Sequence, residues 1–362
     1  MRFNGCLRKR TSQVGLQAYP ERRDRMNESF NLRDAWLKFL IKEVPQQLKT
    51  QDASGRFGVR GDCGKKMDEG QRLWKQSTLY PLAALYETPH PENPFFDDER
   101  AAEAVFQAGD ALRIEQDAAA GLSQFPTDIQ FNLNAGTVMD ARIGTGEIIV
   151  PWTLYHWLQA WLLLSDDLSE TRSEAWRRSL ETGCTTLTEF LPDRAILPIA
   201  AWESVLLTRA GSAFERDLFR EVGEEYMRKL AETQDRNGSW RDWTDAGFFS
   251  GLHALSLYYE FTRDVWVLPA LERARERGRD LLKTHPNIRL QAADDNLFFS
   301  AFAPFVAAPL NENKNMDEFP AALLRQAEQN GDIMDLASTA DCLLFCRVEK
   351  AERSSGDKKS NE

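Results

Sequence analysis

Gln234-Asp235-Arg236-Asn237-Gly238-Ser239-Trp240 decides the fold reading, because the same pattern of Gln, Asp, Gly and aromatic occurs earlier as Gln51-Asp52-Ala53-Ser54-Gly55-Arg56-Phe57. Each stretch follows a segment of helical periodicity. A Gln and an Asp at a helix end can satisfy exposed backbone groups, and the glycine supplies the positive φ of a helix stop. The aromatic then folds back onto the next hairpin. Gln116-Asp117 with Gly121 is a third, looser member. Repeats at roughly one and two hairpin lengths point to a ring of helical hairpins.

Outward from these turns, apolar residues recur at spacings of three and four. Leu32, Trp36, Phe39, Leu40, Val44 and Leu48 mark the first buried helical face. The same periodicity predicts helices at about 71–87, 98–116, 151–165, 168–191, 196–210, 212–234, 246–262 and 265–283, then at 294–308, 317–330 and 332–350. Alternating β-branched runs are missing apart from Ile148-Ile149-Val150, which Pro151 ends. Twelve helices in six pairs predict an all-α (α/α)6 toroid with little or no β-structure. The expected organisation is a disordered leader over 1–28, one toroid domain over 29–350 and a disordered tail over 351–362.

The chain has 362 residues and a formal charge of −11, which argues against a nucleic-acid surface. A small anion or acidic sugar remains compatible, since a few local arginines suffice to hold it. Five cysteines without CxxC spacing indicate free thiols rather than a disulfide framework or structural zinc. The basic leader, with seven basic against two acidic residues in 1–25, is not followed by an apolar run of signal-peptide length. The expectation is a cytoplasmic protein without a membrane segment, and Met26 is a possible alternative start. No Walker loop, GxGxxG after a strand, HExxH or EF-hand loop occurs, so no metal or other cofactor is expected.

The turn Gln234-x3-Gly238-x-Trp240 resembles the Gln/Trp motif of toroidal terpene cyclases and the equivalent turn of toroidal glycoside hydrolases and polysaccharide lyases. The DxDD-type acid of the cyclases is missing. Leu73-Trp74-Lys75-Gln76 through Tyr80-Pro81-Leu82-Ala83-Ala84-Leu85-Tyr86, Asn93-Pro94-Phe95-Phe96-Asp97-Asp98, Ala108-Gly109-Asp110, and the segments 153–164 and 251–259 resemble (α/α)6 proteins of bacterial glycan breakdown. That resemblance spans roughly residues 30–280 and rests on spacing and helix ends. It implies activity on uronic acids, of the β-glucuronidase-type hydrolases or the uronate lyases.

Loop length orients the ring. The connections at about 51–70, 117–150 and 235–245 are long and polar, whereas those at 166–167, 211 and 263–264 are tight. Long loops without structure of their own usually bind or cover something, which places the mouth on their side. Arg60, Arg142, Trp152, Tyr155, His156, Trp240, Trp243 and His253 are the candidate substrate-binding groups there. Aromatic faces suit the C–H surface of a sugar, and Arg suits its hydroxyls or carboxylate.

Hydrolysis needs two carboxylates, one protonated in an apolar setting and one ionised. Glu147, before Ile148-Ile149-Val150, and Asp242, between Trp240 and Trp243, are the expected pair; Asp245 is a reserve that also reads as a helix N-cap. Elimination instead needs a Tyr or His base beside groups that neutralise the uronate, which Tyr155, His156, Asn132, Asn134 and Arg142 offer. A non-catalytic toroid whose funnel binds a sugar or protein is the third reading.

Overall fold

The computed structural model describes residues 32–58, 76–121, 151–193, 196, 198–241, 243, 245–284 and 333–345. Ten α-helices and no strand occur among them: α1 (Leu32–Leu48), α2 (Leu79–Glu87), α3 (Glu99–Gly121), α4 (Pro151–Leu164), α5 (Glu170–Phe190), α6 (Pro198–Ala213), α7 (Asp217–Glu232), α8 (Asp245–Thr262), α9 (Leu268–Thr284) and α10 (Ile333–Phe345). They match ten of the twelve predicted helices. The other two, at 294–308 and 317–330, lie outside the described residues, as do Ile148-Ile149-Val150 and both expected tails.

Even and odd helices occupy different layers, and their sequences give the reason. In α2 every residue from Leu79 to Tyr86 is buried, so no face is left for water. A helix apolar all round belongs inside. In α7 the buried residues are Phe219, Gly223, Tyr226, Met227 and Leu230, a single stripe. Its other face carries the ion pairs Glu224–Arg228 and Glu225–Lys229. Such a helix covers the core with one side only.

The contacts follow that division. The inner helices touch in the order α10, α2, α4, α6, α8, while α3, α5 and α7 touch on the outside. Each inner helix also packs on an outer one, most extensively α6 on α7 and α2 on α3. Aromatic anchors seal the two layers. Trp36, Trp157 and Trp176 are fully buried, Trp157 meets Trp176 edge to face at 5.9 Å, and Trp176 Nε1 donates to Asp110 at 2.8 Å. This is an α/α toroid, with the inner helices running from the long-loop face to the short-loop face.

The two turns that suggested the ring have nearly the same geometry. Gln51 Nε2 donates to Gly55 O at 3.0 Å and to Ala104 O of α3 at 2.8 Å. Gln234 Nε2 donates to Gly238 O at 3.0 Å and to Ala270 O of α9 at 3.0 Å. Each glutamine thus fastens the end of one outer helix to the next outer helix. Gly55 has φ +86° and Gly238 φ +84°, and an added Cβ would stand 2.3 Å and 2.2 Å from the carbonyl oxygens of Gln107 and Arg273. Both the dihedral and the approach require glycine.

Two expectations are corrected. Gln116-Asp117 with Gly121 is not a turn, because α3 runs through all of it. Ala118-Ala119-Ala120, the strongest helix formers, carry the helix past the expected stop. The tight connection expected at 211 lies at 214–216, where Glu215 takes φ +57°. Gly211 instead sits inside α6, where a Cβ would come within 2.7 Å of Arg220 N. There it permits close packing on α7 rather than a stop.

Candidate functional site

The mouth acids and arginines inferred from sequence, Glu147, Asp242, Arg60 and Arg142, lie outside the described residues. Asp245 is the first residue of α8, and Trp152 the second of α4; only their backbone positions are described. Trp240 and Trp243, which flank Asp242, are stacked with centroids 4.7 Å apart. Trp240 is 3% exposed and donates Nε1 to Leu230 O at 2.8 Å, while Trp243 is half-buried and donates Nε1 to Ile196 O at 2.9 Å. Trp240 is therefore a core anchor in this structure, with no face left for a sugar. Trp243 retains a partly exposed surface beside the start of α8.

On the axis, the structure brings together residues from all five inner helices among the described residues. Tyr80 of α2 donates its hydroxyl to Asp341 Oδ1 of α10 at 2.7 Å, and Tyr155 of α4 donates to the same oxygen at 2.8 Å. His253 Nε2 of α8 lies 3.2 Å from Asp341 Oδ2. Trp202 of α6 completes the belt, meeting Tyr155 at 5.4 Å and the His253 ring at 4.9 Å, both edge to face. Its Nε1 donates to Ser250 Oγ at 2.9 Å. His156 stacks on Tyr80 at 5.4 Å.

Local sequence explains why these groups point to one axis. Tyr80, Tyr155 and Trp202 each lie in the early turns of their inner helices, and His253 and Asp341 lie about two turns in. Parallel inner helices place such positions at similar depth. All of these side chains are buried, Asp341 with both histidines at 0% exposure. A carboxylate in such a place survives because two phenols donate to its Oδ1 and an imidazole lies 3.2 Å from its Oδ2.

Burial dictates the protonation of the belt. The Tyr80 and Tyr155 phenols are pushed well above the usual tyrosine range, first by desolvation and then by the Asp341 carboxylate. Both stay protonated and act as donors. The His156 imidazole is held well below its usual value by burial and then by the neighbouring His253. It stays neutral through the physiological range. Tyr155, in this arrangement, is a poor proton acceptor, because its own proton is directed at Asp341 and its phenolate would be buried against a carboxylate.

Sequence reasoning missed Asp341, Tyr80, Trp202 and the axial Arg209 of α6. A signal for the first was present. In Ala337-Ser338-Thr339-Ala340-Asp341-Cys342-Leu343-Leu344, one acid interrupts a small and apolar helical run, and such an acid requires partners. Nothing local names those partners, which are 186 and 261 residues away for the two tyrosines. Among the described residues no group of three or more His, Cys, Asp or Glu could hold a metal ion. No described helix is long and apolar enough to cross a membrane.

No family model matches the sequence, and no curated relative matches it. Solved structures do match by shape. An unsaturated glucuronyl hydrolase specific for heparin has TM-score 0.53 at 11% identity, with 85% of this chain and 95% of that chain covered. A UGL variant with dGlcA-Glc-Rha-Glc has TM-score 0.55 at 11% identity, covering 86% and 96%. The unsaturated glucuronyl hydrolase of Bacillus sp. GL1, responsible for the degradation of glycosaminoglycan, has TM-score 0.54 at 10% identity, again covering 86% and 96%. This chain thus has the α/α-toroid fold of the unsaturated glucuronyl hydrolases.

Proposed function

We propose that this chain is a carbohydrate-active enzyme, a glycoside hydrolase acting on a uronic-acid-containing oligosaccharide or glycoside. The observation that carries the reading is the extent of the shared ring: at least 95% of each of the three glucuronyl hydrolase structures is covered. Glu147 is assigned as the general acid and Asp242 as the second carboxylate, with Asp245 in reserve. The stacked Trp240–Trp243 pair supports Asp242, which lies between the two indoles in the sequence. Arg60 and Arg142 are assigned to the uronate carboxylate, and Trp152 and Trp243 to the sugar ring.

Hydrolysis is preferred over β-elimination because the two bases that elimination would use are unsuited to it. Tyr155 is a buried donor to Asp341, and His156 is fully buried. A lyase base needs access to the proton α to the carboxylate. The third reading, a non-catalytic toroid, is favoured by one observation: the belt at Asp341 fills the axis with buried side chains. It is resolved by the same experiment.

The purified chain is incubated with aryl glucuronides and with saturated and unsaturated uronic oligosaccharides, following released aglycone or reducing ends together with absorbance from any new C=C bond. Release without new absorbance is expected. Glu147→Gln and Asp242→Asn are each expected to lower kcat by at least about a hundredfold with an unchanged circular dichroism spectrum. Full activity in either variant removes that residue from the mechanism. A new C=C bond selects the lyase, and lack of turnover on the whole panel selects the non-catalytic reading. Carboxyl oxygens of Glu147 and Asp242 about 5–9.5 Å apart would fit the hydrolytic pair.

A further inference from the structure

We propose that the ring carries a second site, at the end of its axis opposite the mouth, where Arg209 binds a small organic carboxylate. Arg209 lies seven residues after Trp202 on α6, two helical turns further along nearly the same face. It therefore lies on the axis, towards the C-terminal ends of the inner helices. Phe261 of α8 and Phe345 of α10 accompany it at that end. The Arg209 guanidinium sits 4.7 Å from the Phe261 ring centroid, and Phe261 meets Phe345 edge to face at 5.1 Å.

What distinguishes this group is an unmatched donor beside partly exposed aromatic walls. The other members of the axial set, from Tyr80 to Asp341, are buried, whereas Arg209, Phe261 and Phe345 are each only partly buried. Stacking on Phe261 engages the face of the guanidinium and leaves its N–H groups in the plane of the fork. Arg209 Nε is buried and has no hydrogen-bond acceptor. A buried N–H without an acceptor is costly, and a carboxylate presents two oxygens at the spacing of the fork.

The neighbouring charges do not fill that role. Glu260, next to Phe261, is engaged by Arg263. Asp341 is engaged by Tyr80, Tyr155 and His253. The C-terminal ends of the inner helices favour a cation at this end through their dipoles, which accounts for an arginine here but provides no acceptor for Nε. The ligand class follows from the walls: a monocarboxylate whose flat apolar body lies against Phe261 and Phe345 while its oxygens meet the guanidinium edge.

The test is isothermal titration of the full chain with benzoate, with benzyl alcohol as the neutral analogue and sulfate as an anion without an apolar body. Saturable one-to-one binding of benzoate is expected, at least tenfold tighter than either control. Arg209→Lys keeps the charge and loses the planar fork; it is expected to weaken benzoate at least tenfold with an unchanged melting temperature. Arg209→Met is expected to abolish binding. No saturable benzoate binding by the wild-type chain below 10 mM, on the order of the weakest specific affinities, overturns the site, as does equal affinity in a folded Arg209→Lys variant. The titration requires no turnover, so its failure leaves the sugar-hydrolase reading intact and the reverse also holds.

Discussion

The belt around Asp341 and the ion pairs of the outer helices use the same kinds of side chain in opposite ways. On α7, Glu225 and Lys229 pair across one turn at 2.9 Å with both side chains well exposed. Water would satisfy either one alone, so their pairing contributes only a few tenths of a kcal/mol. Asp341 is fully buried, and its partners come from helices far apart in the chain. Water cannot replace those partners. The comparison teaches that polar groups on this ring matter by depth: outside they keep the helix soluble, and on the axis they tie α2, α4, α8 and α10 into one arrangement.

The strongest way to break the comparison is Asp341→Ala, which leaves two buried phenols without their acceptor. A loss of about 3–5 kcal/mol in urea unfolding is expected. Asp341→Asn, which retains an acceptor oxygen, should lose less. A loss below about 1 kcal/mol for the alanine variant would place the belt in the same class as the surface pairs.

Next in size is Gly238→Ala. The left-handed φ costs about 1–2 kcal/mol on its own, and the approach to Arg273 O adds to it. A total of at least about 2 kcal/mol is expected, with Gly55→Ala close behind because its environment is nearly the same. Unequal losses from the two would show that the turns carry different weight despite their shared hydrogen bonds.

Acid should act on the belt before it acts on the outer layer. The His156 imidazole is lowered in the folded chain, so below the ordinary histidine value the unfolded state binds a proton that the folded state does not. Stability from this group is full above about pH 6.5 and falls as pH drops below it, by at most about 1.4 kcal/mol per pH unit. His156→Gln should flatten that acid limb between pH 6.5 and 5, and an unchanged slope would refute the assignment. At the alkaline end the signs reverse. Tyr80 and Tyr155 are raised, so their contribution is full below about pH 10 and is lost above it as the unfolded phenols ionise. Tyr80→Phe should reduce that loss.

The smallest effect belongs to the outer layer. Lys229→Ala should change stability by no more than about 0.5 kcal/mol, and added salt should shrink the difference further. A larger, salt-independent change would mean that the α7 surface contributes packing which its exposure does not suggest.

The candidate site was only partly legible for the same reason of depth. Tyr155, His156 and His253 stood out in the sequence as scarce or reactive types near inner-helix starts, and the structure does gather them on the axis. Their expected place was the mouth lining, yet they are fully buried. Trp240 was expected as a sugar platform and is a core anchor, because only 3% of it is exposed. A spacing of residues along a helix gives their azimuth. It does not say how much of the next layer lies above them.

The sequence by itself determined the helices, their apolar periodicity, and the paired turns at 51–57 and 234–240. Those are local properties: periodicity, turn chemistry and the one residue type that tolerates a positive φ beside a neighbouring carbonyl. Only the tertiary structure decided that Asp341 would meet Tyr80, Tyr155 and His253, that Trp240 would face inward, and that Arg209 would stand on the axis without an acceptor for its Nε. Each of these depends on contacts between segments distant in the chain, and one helix's sequence carries no record of which side chains the others will bring to meet it.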